Sequence, residues 1–230
     1  MATKKVVYAK KIYTMSKPDD YHSAMIIEDN IITKLTDRND IDIVNGKFDE
    51  VLDFADNVII PGFNDSHIHV LGYSKFLESI NLVGCSSKKE FLDRIKQKID
   101  SSSPEEWLIG RGWDQEQFLE KEYPNRYEID TISKNNPILL YRVCGHICVV
   151  NTKALEVTGL LKNIKEPNGG KIDLFDDYNP TGILRENAIK LVANKIPDSS
   201  FDLRRQRLKK AIKELNRFGI TSVQSNDKCL

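Results

Sequence analysis

Across 230 residues, 34 lysines and arginines balance 34 aspartates and glutamates; 40% of the residues are hydrophobic and 30% charged, an ordinary globular composition in a chain long enough for one or two cores. Zero net charge argues against a nucleic-acid or acidic-lipid partner, and no apolar run approaches the roughly 18 residues of a membrane span. The amino end lacks the apolar core of a signal peptide, and Cys85, Cys144, Cys148 and Cys229 lack disulfide-scaffold spacing, so they read as thiols of a cytoplasmic protein.

The first 57 residues read as short strands. Val6–Tyr8 and Ile12–Thr14 come first. Ala24–Ile27 and Ile31–Thr33 flank the turn signal Glu28-Asp29-Asn30 and predict a hairpin. Asn45-Gly46 marks a second tight turn between Ile41–Val44 and Phe48–Phe54. An apolar run, Val58–Ile60, then leads through Pro61-Gly62 to His67 and His69. Residues two apart on a strand share a face, so the two imidazoles would stand about 7 Å apart at the backbone. That spacing lets both rings converge on one cation at about 2.0–2.1 Å per Zn–N bond. Asp65 shares their parity, as a third ligand or as an outer acceptor that fixes a ring tautomer.

Leu71 to Ile80 carries a short helical stripe, and Ser87-Lys-Lys-Glu90 is a capping box opening a helix with Phe91, Leu92, Ile95 and Ile99 on one face. Trp107–Trp113 reads as a strand entering a glycine-broken loop, in which Gly110 and Gly112 permit close backbone approach or positive φ. There Trp113 and Asp114 are either a plain turn beside a core tryptophan or part of a pocket. Pro137–Val143 is a strong strand that runs on into Cys144-Gly-His146-Ile-Cys148. A Cys-x-His-x-Cys zinc site lacks a fourth ligand and the usual spacing, so the plain reading of His146 is a buried, hydrogen-bonded histidine. Asn151 is an N-cap of a helix closed near Gly159. Lys162–Pro180 reads as a hairpin or surface loop, and Thr181–Ala193 as a helix with Glu186 solvated on it. Leu203–Phe218 is the clearest helix, with Leu208, Ala211, Ile212, Leu215 and Phe218 in its stripe and Gly219 as its C′ stop. Ile220–Gln224 is a strand.

Pro61-Gly-Phe-Asn-Asp-Ser-His-Ile-His69 resembles the P-G-[FL]-[IVN]-D-x-H-x-H signature of the metal-dependent amidohydrolase superfamily. Gly110–Gln115, Pro137–His146, Val150–Leu155, Thr181–Glu186 and Gly219–Val223 narrow the resemblance to its amidohydrolase-3 (YtcJ-like) branch. The ordered set covers nearly the whole chain. It implies a divalent metal, zinc being expected, on His67 and His69, with Trp113, Asp114 and His146 contacting substrate. It also implies an α/β fold: a small β-sandwich unit at 1–57, then an incomplete TIM-type (β/α) barrel start at 58–230 with an insertion at about 85–180. A full barrel takes roughly 200–250 residues, more than the chain holds beyond residue 57, so the chain is expected to be an amino-terminal fragment, truncated relative to the family. The family's remaining ligands are a carboxylated lysine, two further histidines and an aspartate on later strands; no histidine comes after His146, so none of the catalytic acid–base machinery is expected within the chain. The implied parent activity is metal-dependent hydrolysis of non-peptide carbon–nitrogen bonds on a small-molecule substrate. The alternative is an inactive truncated product or a β-rich binding module. Homodimerisation, or association through exposed strand edges, is a further expectation.

Overall fold

The computed structural model describes residues 3–42 and 46–227. The runs at Val6–Tyr8 and Ile12–Thr14 belong to one strand, β1 (Lys4–Tyr13), whose register shifts between Tyr8 and Ile12. The hairpin forms as expected from β2 (Tyr21–Glu28) and β3 (Ile31–Thr36), with Asp29 at the turn in the left-handed region, φ +54°. Of the Asn45-Gly46 turn, Asn45 lies outside the described residues, while Gly46 and Lys47 are in a turn. Ile41, expected in a strand, instead closes a 3₁₀ turn at Arg38–Asp40. The strand beyond is short: β4 (Glu50–Asp53), then β5 (Val58–Ile59) and β6 (Phe63–Ile68).

Next come α1 (Val70–Phe76), β7 (Ile80–Asn81), α2 (Lys88–Ile99), β8 (Leu108–Trp113), α3 (Arg126–Asp130), β9 (Ile138–Arg142), β10 (Ile147–Val150) and α4 (Thr152–Thr158). The chain continues with β11 (Gly170–Leu174), β12 (Pro180–Glu186), α5 (Ile189–Ala193), α6 (Phe201–Arg217) and β13 (Ile220–Ser225). The segments at Ile80 and Thr181–Glu186 differ from the sequence expectation, as does the strand read on through Cys148, which turns between β9 and β10. Ile80 is in a strand, since α1 stops at Phe76. Thr181–Glu186, read as helix, is the strand β12, and only Ile189–Ala193 is helical. Its apolar run Gly182-Ile-Leu is buried, and a short run buried on both faces carries no alternation to distinguish strand from helix.

The described residues fall into two compact units, one up to Ile68 with the chain from Lys213 onward, the other His69–Ile212. In the first, a five-stranded sheet runs β3-β2-β1-β4, with β5 also on β1, and a separate parallel pair joins β6 to β13. The sandwich expected here is thus represented by one sheet. Val6, Tyr8 and Ala24 make its small core, with Ile41 and Phe48 against it. The Arg38 guanidinium lies 4.6 Å from the Tyr8 ring centre and pairs with Asp53. In the parallel pair, α6 leads into β13, the helix and strand read from the sequence at Leu203–Phe218 and Ile220–Gln224.

In the second unit a six-stranded sheet runs β11-β12-β10-β9-β8-β7. β7, β8 and β9 are parallel; β10, β12 and β11 extend the sheet antiparallel. Successive residues of a strand face opposite sides, and the two cores obey that rule. Ile138, Leu140, Val149 and Ile183 pack on one face with Phe91, Ile95 and Ile129 of α2 and α3. Leu139, Cys148, Val150 and Leu184 pack on the other with Ala154, Leu155, Ile189 and Val192 of α4 and α5. The segment that reads as an insertion is therefore an organised sheet, covered on both faces, and it places the candidate pocket residues.

Candidate active site

His67 is on β6; His69 comes just after the strand, at the N-cap of α1, with φ −110° and ψ 85°. Both are exposed. The His67 backbone N–H donates to Asp65 Oδ1 at 3.0 Å, so Asp65 folds back onto its own strand. The His67 ring Nδ1 lies 2.9 Å from Asn226 Nδ2, an amide brought beside it by the parallel pairing of β6 with β13. Sequence reasoning missed Asn226, which carries no local signal and meets His67 only through that pairing. The donor types suit a divalent metal: two imidazoles, with a carboxylate two residues before the first. Among the described residues, however, no group of three or more His, Cys, Asp or Glu is placed to hold a metal ion.

Trp113 ends β8 fully buried. Its indole N–H donates to the Leu140 carbonyl at 2.9 Å, and its ring meets Phe91 and Tyr123 edge-on. Gly112 just before it has φ +105°, and a Cβ there would stand 2.4 Å from the Val83 side chain, so both properties expected of this glycine are present at one position. Asp114 caps the 3₁₀ turn at Gln115–Gln117 by accepting from the Glu116 N–H, and it accepts from Arg142 Nη2 at 2.7 Å. Arg142 Nε donates to Gln115 Oε1 at 2.8 Å, which ties the end of β9 to the loop after β8.

His146 is not buried. The strand β9 does not run on through it: the chain turns at Val143–His146, with Gly145 at φ +76°, and returns as β10. The turn separates the cysteines, leaving Cys144 exposed and Cys148 buried, with Cys85 also buried and all three thiols free. Burial pushes the Cys148 and Cys85 thiols up. At Cys144 burial acts in the same direction but is outweighed by hydrogen bonds from the Arg142 side chain and the backbone N–H groups of His146 and Ile147, and the thiol is lowered. His146 Nδ1 lies 3.0 Å from Glu186 Oε2, and that hydrogen bond raises the imidazole above its ordinary range. Glu186, read from sequence as a solvated helix residue, ends a strand and holds this histidine.

Residues 50–229 match the amidohydrolase family model, amidohydrolase-3. The protein YtcJ of Bacillus subtilis (strain 168) is 31% identical over 217 residues, which cover 94% of this chain and 41% of that protein. An N-substituted formamide deformylase of Arthrobacter pascens is 32% identical over 148 residues, 62% of this chain and 27% of that one. Among solved structures, an uncharacterized metal-dependent hydrolase from Pyrococcus horikoshii OT3 superposes with a TM-score of 0.70 at 26% identity, over 97% of this chain and 43% of its own. The chain thus spans about two fifths of the length of YtcJ and of this hydrolase. With the family model matching most of its length and both histidines inside the match, the chain belongs to the amidohydrolase family.

Proposed function

We propose that this chain supplies the first two metal ligands and part of the substrate pocket of a hydrolase that cleaves carbon–nitrogen bonds in small, non-peptide amides. The observation that carries the reading is the pair His67 and His69 at the end of β6, within the family match, on a strand that pairs in parallel with β13. His67 and His69 would hold a divalent metal, with zinc the one the family resemblance implies, which when bound would lower the pKa of a water toward neutrality and polarise a carbonyl. Within this chain, Asp65 accepts from the His67 backbone N–H and stiffens the strand that carries the ring. Asp114, held by Arg142, and the exposed His146 face substrate, while Trp113 supports them from the core.

Catalytic zinc takes three protein ligands and a water. We assign the ligands beyond the two histidines, and the acid–base group, to positions outside these residues, so the 230-residue polypeptide acts as the amino-terminal part of the enzyme and is inactive alone. Three free thiols support a cytoplasmic setting. Among the described residues no helix is long and apolar enough to cross a membrane. The test is metal content by plasma mass spectrometry beside turnover of N-formyl and N-acyl amines. Weak zinc binding and no turnover are expected of the 230 residues. A longer polypeptide spanning the full length of the relatives should bind metal and turn over, and His67→Ala with His69→Ala should abolish both. Turnover that survives the double substitution would overturn the assignment of the ligands.

A further inference from the structure

One histidine–carboxylate pair is explained neither by the metal ligands nor by the stability of the sheet. His146 and Glu186 meet at 3.0 Å, and the Glu186 backbone N–H also donates to the His146 carbonyl at 2.8 Å. The side chains are 69% and 60% exposed, and an ion pair so open to solvent contributes little to stability. Two hydrogen bonds, one from side chain and one from backbone, nevertheless fix Glu186 against His146. A weak, exposed pair joined at both side chain and backbone constrains the ring more than it stabilises the sheet.

The position of the pair is a second, independent observation. β8 and β9 are parallel and end together, with Trp113 opposite Arg142. β10 starts beside the end of β9, and β12 ends beside the start of β10, with Ile147 opposite Arg185. Asp114, Arg142, His146 and Glu186 therefore gather at one edge of the sheet, the carboxyl ends of its parallel strands. That edge is where open α/β sheets bind ligands.

We propose that Glu186 is a positioning residue, holding the His146 ring through Nδ1 so that Nε2 is the atom presented to the substrate. The proposal rests on the reading of His146 as a substrate contact. In the neutral ring a carboxylate takes the Nδ1–H, leaving Nε2 as an acceptor; in the imidazolium Nε2–H becomes a donor. An amide offers both an N–H and a carbonyl oxygen, so one atom at one place reads either half of the group, with protonation deciding which. The titratable groups acting on the ring are Glu186 from β12 and Cys144 from its own turn.

The test is nitrogen-15 NMR of histidine-labelled 230-residue protein, with His146 identified by the signals lost in His146→Gln. The neutral ring is expected to carry its proton on Nδ1 and to titrate above an ordinary exposed histidine. Glu186→Gln should shift the midpoint down and mix the tautomers, and Glu186→Asp should restore part of both. A neutral ring protonated on Nε2 in the wild type, or a midpoint and tautomer unchanged in Glu186→Gln, would overturn the proposal. If circular dichroism shows Glu186→Gln unfolded, the wild-type tautomer and Glu186→Asp decide alone. None of these readouts needs metal at His67 and His69, so a failure here is distinct from a failure of the hydrolase reading.

Discussion

Asn151 shows how much one side chain can carry. Fully buried, it caps α4 by accepting from the Ala154 N–H at 3.1 Å and accepts from the Ile138 N–H at 2.9 Å. Its amide donates to the Asn136 carbonyl at 2.9 Å. The cap was legible in the sequence; the bridge to β9 was not, because Ile138 lies 13 residues away in the chain. Asn151→Ala leaves several buried backbone groups unpaired, each worth about 1–3 kcal/mol, so we expect a loss of about 3 kcal/mol in urea denaturation; a loss below about 1 kcal/mol would show that water replaces the amide. Glu90 offers a pH test. The Ser86 backbone N–H, then the Arg94 guanidinium, hold its carboxyl down at about 2 against an ordinary 4.5. A depressed carboxyl stabilises the fold above its unfolded value, and the contribution fades as pH falls toward the folded one. Glu90→Gln should therefore lower Tm at pH 7, with the gap to wild type narrowing steadily below pH 4.5. A gap that stays constant with pH would mean that packing, not charge, is lost. The capping box itself formed with one displacement: Ser87 accepts from the Glu90 N–H at 3.1 Å, but Glu90 reaches back to Ser86 instead of Ser87.

At the scale of elements, the sequence was clear where periodicity was clean. α2, α4, α6, the β2–β3 hairpin and β13 stand where the pattern put them. It failed at β12, where neighbours decided the conformation. Gly182 has φ +96°, and a Cβ there would lie 2.4 Å from the Val150 carbonyl and 3.0 Å from Arg126 Cβ. The glycine lets β12 lie this close to β10 and α3, which a helix would not need. We expect Gly182→Ala to cost about 1–3 kcal/mol through strain and that contact, read as a lowered urea midpoint with unchanged slope; a neutral result would mean the strand can retreat from Val150. The β9–β10 turn was missed for a related reason. Cys144-Gly145-His146 sits within a run of strand-forming residues, and only the antiparallel partner on β9 reveals the reversal.

For the whole molecule, open edges set the behaviour. β3 is an edge strand whose Ile31 and Ile32 are exposed, and β6 and β13 form a pair with no further strand among the described residues. Unpaired edges with apolar side chains favour edge-to-edge association. We expect concentration-dependent association in size-exclusion chromatography with light scattering, reduced by Ile32→Lys, which places a charge on the β3 edge. A protein that stays monomeric at high concentration, or an unchanged association in Ile32→Lys, would rule out that edge as the contact.

The sequence alone determined the family, because its signature is local. Pro61–His69, Gly110–Gln115 and Thr181–Glu186 are short strings whose residue types and order suffice, and helix caps such as Ser87 and Asn151 are read within one turn of chain. Tertiary structure decided what each of those residues touches. Trp113 became core because Phe91, Tyr123 and Leu140 close around it from three other segments. Asn226 and Glu186 became partners of His67 and His146 across 159 and 40 residues of chain. Such pairings depend on sheet register, in which a shift of one residue turns every side chain to the opposite face, and register is a property of two strands together that neither one encodes by itself.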